Sequence, residues 1–179
     1  ITGKIRVIGE QCNVAYQYRG NNPSTSLIQI LKEIKDIKFD NGNKHFQPTN
    51  LEVTKINIDN NADNIIPGSA EATFNIRFNN RHSSNSIKKR LNKIFKKITK
   101  KNKSKFKINY RVSGEAFLTR PNKTTFMIQN IIRKITKLKP KLSTTGGTSD
   151  LRFIRKISPG LEFGLVGKTM HKVCLLYTS

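Results

Sequence analysis

A glycine-rich turn is the strongest chemical signal in this sequence. The stretch "STTGGTSDLRF" sets Gly146 and Gly147 before Thr148, Ser149 and Asp150, and an amphipathic run follows. Glycine lets the backbone approach a ligand closely, and the N-terminus of a helix offers free N–H groups to an anion. The three polar residues can also cap the helix without any ligand. The pattern therefore predicts either a carboxylate or oxyanion site or an ordinary capped strand-to-helix turn.

Two isolated polar residues could also serve a binding site. Arg77 follows Glu71, Thr73 and Asn75 on the polar face of a predicted strand, and a guanidinium there can hold a carboxylate by two hydrogen bonds. His171 stands alone in "VGKTMHKV" and could ligate a metal whose other ligands come from elsewhere. From the residues alone, a solvated arginine and a satisfied or exposed histidine are the favoured interpretations.

The composition limits the class of protein. Lys and Arg total 34 against 11 Asp and Glu, which gives a formal net charge of +23 over 179 residues. Such a charge is typical of proteins that bind nucleic acid, but here it is spread along the chain, as a biased base composition would give. A hydrophobic fraction of 35% suffices for a core. No apolar run reaches the roughly 18 residues of a membrane-spanning helix, so no membrane partner is expected.

The cysteines and the first residues indicate where the protein works. Cys12 and Cys174 are too far apart in sequence for a metal-binding spacing, and a reducing, cytoplasmic location is predicted. His45 and His82 lie in polar loops and are predicted at the surface. The opening "ITGKIRVIGEQ" has neither a methionine nor a signal pattern, which favours a fragment of a longer protein.

The first 115 residues predict the order strand, helix, strand, strand, helix, strand. The elements are a strand at 3–9, a helix opened by Asn22 and Pro23, strands at 51–59 and 69–78, a helix at 83–101 and a strand at 104–112. Alternation is clearest in "SAEATFNIRF", whose apolar residues share one face. This order is typical of a ferredoxin-like, four-stranded antiparallel sheet with both helices on one face.

The remaining residues predict a different architecture. A helix at 122–138 is stopped by Pro140, and a strand at 141–144, a helix at 149–157 and a strand at 161–166 follow. Alternating helices and strands belong to an α/β sheet. The fold class predicted for the whole chain is therefore α/β, with an α+β ferredoxin-like domain first.

These stretches together resemble the second half of the succinyl-diaminopimelate desuccinylase family, which belongs to the dinuclear-zinc aminoacylases and carboxypeptidases. The matching pieces are "GKIRVIG", "NVAY", "ADNIIPGSAEATFNIRF", "SGEAFLT", "TTGGTSDLRF" and "LEFGLVGKTMHKV". The resemblance implies a lid and dimerisation domain at 1–115 and the C-terminal part of a zinc-hydrolase domain at 116–173.

The resemblance also implies a reaction. Members hydrolyse N-succinyl-LL-2,6-diaminopimelate to succinate and LL-2,6-diaminopimelate in lysine and diaminopimelate biosynthesis, as homodimers with two zinc ions or cobalt. The metals share a bridging water and lower its pKa. The general base and most metal ligands of the family precede the lid, so no catalytic residue is expected in this chain. It is predicted to be inactive alone.

Individual residues match the family's site. His171 matches the last zinc ligand. Gly147 and Thr148 match a substrate-contacting turn, Arg77 matches a lid arginine that pairs with a substrate carboxylate, and Ser113 matches a serine near the hinge. All five are therefore expected to line the active site.

Three further matches belong to the part of the lid that reaches the partner subunit. Tyr16 and Asn64 match residues of this kind. Asn13 takes the place of a lid histidine that helps stabilise the oxyanion, since the family reads Gly-His-Val-Ala-Tyr-Pro-His where this chain reads "CNVAYQY". An asparagine amide can donate a hydrogen bond but cannot carry a charge. The other departures are Cys12, Gln17 and Tyr18.

Three alternatives to this function stay open. A related acetylornithine deacetylase or metallo-carboxypeptidase would share the lid, although "TTGGTSDLRF" favours the desuccinylase. A nucleic-acid-binding module could use the basic stretch "KKRLNKIFKKITKKNKSK", but this stretch also fits the solvated face of an amphipathic helix. An RNA-binding sheet should carry exposed aromatics, and none is expected here, so no nucleic-acid partner is predicted. The lid could also serve dimerisation only.

The last six residues, "CLLYTS", do not continue the family pattern. They correspond to the translation of a transposon-adapter end used in sequencing libraries. Residues 174–179 are therefore predicted to be an artefact, and Cys174 is assigned no redox or metal role. A natural apolar terminus is the alternative.

Overall fold

The computed structural model describes residues 1–144 and 150–163, which fall into two compact units. The first holds residues 1–118 and 142–144, and the second holds residues 119–141 and 150–163. The predicted division at residue 115, with its lid, catalytic and artefact segments, stays a prediction. None of the helices in the described ranges is long and apolar enough to cross a membrane.

The first unit is built on a four-stranded antiparallel sheet. Its strands are β1 (Thr2–Ile8), β3 (Asn50–Asn57), β5 (Ser69–Arg77) and β6 (Lys105–Arg111), in the spatial order β3-β5-β1-β6. Two helices, α1 (Pro23–Lys35) and α2 (Ser84–Lys101), pack on it and on each other. The ferredoxin-like prediction is confirmed by this topology.

Alternating side chains place the core between the sheet and the helices. In β5 every second residue from Ala70 to Ile76 is buried, while Glu71, Thr73 and Asn75 are only partly buried. The helices supply the opposite side of the core. Its fully buried members include Ile5, Val7, Leu27, Ile30, Ile34, Phe74, Ile76, Ile87, Leu91 and Phe95. Burial of this many large apolar side chains is the main stabilising term of the unit.

One glycine makes room for an aromatic ring in this core. Gly3 of β1 lies opposite Phe74 of β5. A Cβ at Gly3 would stand 2.3 Å from the Phe74 ring. Phe74 also meets the rings of Phe95 and Tyr110, with centroids 6.3 Å and 6.5 Å away. The absence of a side chain at position 3 therefore lets Phe74 lie across the neighbouring strand.

Both helices begin at capping residues, of which the sequence predicts the first, Asn22. Asn22 Oδ1 accepts from the N–H of Ser24 at 2.9 Å, and Pro23 stands at the first helical position. Ser83 and Ser86 cap α2 reciprocally: each side chain accepts the other's backbone N–H at 3.1 Å. Their caps satisfy N–H groups that the helix itself leaves unpaired.

Three short elements are absent from the sequence prediction. They are β2 (Cys12–Asn13), a 3-10 helix at Val14–Arg19, and β4 (Ile65–Ile66), which pairs antiparallel with β2. Two-residue strands show no periodicity, so only their pairing reveals them.

A buried carboxylate organises the loop before β3. Asp40 accepts hydrogen bonds from the N–H of Gly42 at 2.6 Å, the N–H of Thr49 at 3.2 Å and Asn79 Nδ2 at 2.7 Å. His82 Nε2 lies 3.1 Å from its second oxygen. His82, predicted at the surface, has only 20% of its side chain exposed, because its ring pairs with the largely buried Asp40 carboxylate.

Burial alone would raise the pKa of Asp40. The hydrogen bonds from Thr49, Gly42 and Asn79 outweigh it and hold that pKa well below its ordinary value. A carboxylate with several N–H donors is stabilised in its charged form. Asp40 is therefore a fixed negative charge at neutral pH.

The chain after residue 118 differs from the prediction in its strands. It contains α3 (Lys123–Thr136) and α4 (Leu151–Ile154). The predicted strand at 141–144 is wrong, and residues 161–163 of the predicted strand 161–166 are not a strand either. The rest of that stretch lies outside the described residues. A strand needs a hydrogen-bonded neighbour, and local sequence does not supply one.

Candidate functional site

The first group of predicted site residues lies in the 3-10 helix and beside the β2–β4 ladder. Asn13 lies opposite Ile65, and the N–H of Val14 donates to the carbonyl oxygen of Asn64 at 2.9 Å. Tyr16 lies in the 3-10 helix and is 49% exposed. The structure therefore brings Asn13, Tyr16 and Asn64 onto one exposed surface, which we call the Tyr16 end.

The turn at the Tyr16 end is fixed at its base. Glu10 and Asn21 exchange backbone N–H···O bonds of 2.9 Å in both directions. Asn21 Nδ2 also donates to the carbonyl oxygen of Asn102 at 2.6 Å. All of residues 14–19 are exposed. The turn thus presents its side chains outward from a rigid base.

Asn13 uses its amide oxygen inside the turn. Its Oδ1 accepts from the N–H of Ala15 at 2.9 Å and caps the 3-10 helix. The amide nitrogen is the part of Asn13 that can donate to a ligand. The side chain can therefore act as a hydrogen-bond donor but not as an acid or a base.

The second group lies at the opposite end of the sheet. Arg77 is the last residue of β5, opposite Asn50, and is exposed. Since β5 and β6 both run antiparallel to β1, they end on the same side, and Ser113 follows β6 there. We call this the Arg77 end.

Glu115 fixes the segment that carries Ser113. Its carboxylate oxygens accept from the N–H of Ser84, the first residue of α2, at 3.0 Å and 3.3 Å. A negative charge is favourable at a helix N-terminus. The sequence prediction missed Glu115, although it is one of only 11 acidic residues in a very basic chain.

The two ends are too far apart to form one small-molecule site within a single first unit. They are separated by the length of β5, nine residues, which is about 26 Å at the usual rise of a strand. The residues of the Tyr16 end therefore cannot contact the same amino-acid-sized molecule as Arg77 of the same sheet.

The remaining predicted site residues cannot be placed. Gly147, Thr148 and His171 lie outside the described residues, as does Cys174. Asp150 is described, and it precedes α4 without a side-chain cap hydrogen bond, so its predicted capping role is wrong.

The described residues do not fit a metal centre. Within 1–144 and 150–163, no group of three or more His, Cys, Asp or Glu side chains could hold a metal ion. Asp40 and His82 form a pair among these residues, and Thr49, Gly42 and Asn79 already donate hydrogen bonds to the Asp40 carboxylate. Cys12 is a free thiol.

Comparison with known proteins identifies the first unit. Residues 1–103 match the family described as the peptidase dimerisation domain. This range covers α1, α2 and three strands of the four-stranded sheet.

Curated relatives extend the similarity over almost the whole chain. It is 75% identical over 173 residues to a succinyl-diaminopimelate desuccinylase of Pelagibacter ubique, covering 97% of this chain and 45% of the relative. It is 44% identical over 172 residues to a protein of the same name from Parvibaculum lavamentivorans, covering 96% and 44%. The resemblance found in the sequence is confirmed, and the chain spans less than half the length of these relatives.

Solved structures agree on the fold. A tripeptidase from Staphylococcus aureus matches with a TM-score of 0.69 at 16% identity, over 87% of this chain and 40% of that one. A hydantoinase/carbamoylase family amidase from Burkholderia ambifaria matches with a TM-score of 0.65 at 12% identity, over 88% and 38%. At such identities the likeness shows the fold alone.

Proposed function

The chain belongs to the family of peptidase dimerisation domains, and from this premise we propose that it is the dimerisation and C-terminal part of a succinyl-diaminopimelate desuccinylase. The observation that carries the proposal is its high identity to such a protein over nearly its whole length. The acetylornithine deacetylase and carboxypeptidase alternatives are less well supported, because the two relatives described above share the desuccinylase name.

The proposed reaction is hydrolysis of one amide bond. Water adds across the C–N bond of N-succinyl-LL-2,6-diaminopimelate and gives succinate and LL-2,6-diaminopimelate. The enzyme would contain two metal ions, zinc or cobalt, and His171 is the one ligand that we propose this chain contributes. The remaining ligands and the general base would belong to the part of the enzyme that precedes this chain. The enzyme would work in the cytoplasm.

Each end of the sheet has its own task in this proposal. Arg77, the last residue of β5, would hold a substrate carboxylate in its own subunit, and Ser113, which follows β6 at the same end of the sheet, would contribute to that site. Gly147 and Thr148 would contact the substrate from the glycine-rich turn. An arginine suits this role because its planar N–H donors match a carboxylate in two places.

The Tyr16 end would complete the active site of the partner subunit. Asn13, Tyr16 and Asn64 are exposed and lie at the opposite end of β5 from Arg77, a strand length of about 26 Å. In this proposal a homodimer through the first unit would bring the Tyr16 end of one subunit to the Arg77 end of the other. The distance within one sheet therefore supports a site built from two chains.

A chimera tests the proposal. The matching residues of this chain replace their counterparts in the Pelagibacter ubique relative, and hydrolysis of N-succinyl-LL-2,6-diaminopimelate is compared with that of N-acetylornithine. We expect turnover of the succinyl substrate and preference for it. The isolated chain should give no turnover, and light scattering should give twice its 20.4 kDa.

A matched variant separates the effect of Asn13 from the function itself. Restoring a charged donor by Asn13→His in the chimera should raise kcat by about tenfold, because an oxyanion is stabilised more strongly by a charged group. Failure of both chimeras, while the parental relative is active, would contradict the proposed function. Turnover by the isolated chain would contradict the division of roles.

A further inference from the structure

The Tyr16 end carries an arginine held by two aromatic rings. The guanidinium carbon of Arg19 lies 5.1 Å from the centre of the Tyr16 ring and 5.5 Å from that of Tyr18. Both distances lie within the roughly 6 Å reach of a cation–π interaction. The two rings stand at 88° with centroids 6.3 Å apart. Arg19 therefore sits in a corner formed by two tyrosines.

No carboxylate neutralises Arg19 in the described part of the chain. The ion pairs there engage Lys4, Arg6, Lys35 and His82. Aromatic rings attract the charge of a guanidinium but accept few of its five planar N–H donors, which suit a carboxylate. Arg19 thus keeps the capacity to bind an external anion.

Arg19, Tyr16 and Tyr18, which we together call the clamp, are exposed and stand on a fixed base. Tyr18 is 75% exposed and Tyr16 49%, while the backbone exchange between Glu10 and Asn21 holds the turn in place. A cation held in position before binding loses less conformational entropy when a ligand arrives. These are the conditions for a specific contact rather than a freely moving surface charge.

We infer that Arg19 is a specificity-determining residue that binds one carboxylate of the substrate in the partner subunit's active site. The inference rests on the proposed function, which brings Asn13 and Tyr16 of the same turn to that site. The proposed substrate carries three carboxylates, and Arg77 accounts for one. Arg19 supplies a second cation, and it comes from the other chain.

The clamp depends on a departure of this sequence from its family. Tyr18 stands where the family pattern has histidine, and its ring forms one of the two walls around Arg19. Tyr18→Leu removes that wall but leaves the charge, and it should raise KM less than the loss of Arg19 itself.

The test uses the active chimera with Arg19→Gln and Arg19→Lys. A hydrogen-bonded charge pair of this kind contributes enough that Arg19→Gln should raise KM by about 10- to 100-fold, with a smaller change in kcat. Arg19→Lys keeps the charge but loses the two-point geometry, so its KM should lie between those of the unmodified chimera and Arg19→Gln. Lys93→Gln, which removes an exposed cation from α2, is the matched control and should leave KM unchanged.

Three substrate analogues identify the carboxylate. Nα-succinyl-L-lysine lacks the distal carboxylate, Nε-succinyl-L-lysine lacks the proximal one, and N-butyryl-LL-2,6-diaminopimelate lacks that of the acyl group. The Arg19→Gln effect should vanish for one of the three and persist for the other two. Such a result assigns the contact, because removing either partner then has the same consequence.

The outcomes separate the inference from the proposed function. If the chimera with Arg19 hydrolyses the substrate but Arg19→Gln changes KM by less than about twofold, the inference is wrong and the function stands. An effect that is equal for all three analogues, or matched by Lys93→Gln, also overturns it, because it would reflect overall charge. If the chimera and its Asn13→His variant are both inactive while the parental relative is active, the function and the inference are overturned together.

Discussion

The two units of this chain treat apolar side chains in opposite ways. In the first unit, Phe74, Phe95 and Leu91 are fully buried between sheet and helices. In the second, α3 has no buried residue, and Ile135 is 76% exposed. Both helices α2 and α3 are amphipathic in sequence, so the pattern alone does not distinguish them. An amphipathic pattern gives a helix one apolar face, and that face stabilises the fold only when a second surface covers it.

The exposed face of α3 is extensive within the described residues. It borders a groove of about 490 Å³ that is lined by Phe126, Met127 and Ile131 together with polar residues of the same helix. Since the chain spans less than half the length of its curated relatives, we propose that the remainder of the protein covers this face. The first unit, by contrast, contains both sides of its own core.

The largest contrast should come from truncating one apolar side chain in each unit. Phe74→Ala should lower the free energy of unfolding by about 3–5 kcal/mol, because it leaves a cavity in a closed core. Ile135→Ala should cost less than about 0.5 kcal/mol, since the side chain is already exposed. Urea unfolding of the full chain, followed by circular dichroism, measures both.

A milder variant keeps this test informative if Phe74→Ala does not fold. Phe74→Leu should cost about 1–2 kcal/mol for the smaller volume change. Equal losses at positions 74 and 135 would break the comparison, because they would show that α3 is covered within this chain.

The Asp40 network should give the next largest effect, and it depends on pH. The pKa of Asp40 is lower in the folded protein than its ordinary 3.8, so the unfolded chain takes up the proton first. Its contribution to stability is full above that ordinary value and is lost as the pH falls through the lower, folded pKa. Asp40→Asn should cost about 1–3 kcal/mol at pH 7, because several donors lose their charged acceptor.

Asp59→Asn provides the matched control for this prediction, since Asp59 is exposed. Unfolding midpoints of Asp40→Asn and the unmodified chain should differ by a constant amount above about pH 5 and should converge as the pH falls from there to about 2. Parallel curves at all pH values would show that the Asp40 charge does not stabilise the first unit.

Helix caps offer a matched pair across the two units. Ser83 and Ser86 cap α2 reciprocally, as Asn122 and Thr125 cap α3. Ser83→Ala should lower the unfolding free energy of the first unit by about 1 kcal/mol. Asn122→Ala should reduce helix content without moving the main unfolding transition, because α3 lacks a covering surface. Circular dichroism distinguishes the two results, since Ser83→Ala should lower the unfolding midpoint and Asn122→Ala should lower only the helical signal. A lower midpoint for both variants would contradict the contrast between the units.

The smallest effect should come from the open face of the sheet. Glu71 accepts from Lys4 at 2.9 Å and lies 3.6 Å from Arg6 Nε, and both cations are more than half exposed. Glu71→Gln should therefore cost less than about 1 kcal/mol and less still in high salt. A large loss in urea unfolding at 0.5 M salt, on the order of the Asp40 effect, would contradict this ranking.

The parts that sequence predicts are those with local periodicity. The alternation from Ala70 to Ile76 and the helix start at Asn22 and Pro23 predicted the right elements, because their signals lie within a few residues. The ladder of β2 and β4 could not be predicted, since its pairing joins residues about fifty positions apart. The strand at 141–144 was wrong for the same reason, as a strand exists only with its neighbour.

Some features of the candidate site also follow from local sequence, and others depend on contacts between distant residues. The position of Arg77 at the end of a strand follows from its alternation, and the structure places it there. The gathering of Asn13 with Asn64, and the corner that Tyr16 and Tyr18 form around Arg19, depend on contacts that no local pattern contains. Their predicted roles came from resemblance and stay predictions.

The separation of the Tyr16 end from the Arg77 end has a genetic consequence. If each active site takes one end from each subunit, two different inactive alleles can rescue each other in the same cell. A subunit damaged at Arg77 and a subunit damaged at Asn64 would form a mixed dimer with one doubly damaged site and one intact site. Two mutations at the same end could not complement in this way. The length of one β-strand would thus divide the gene into two complementation groups.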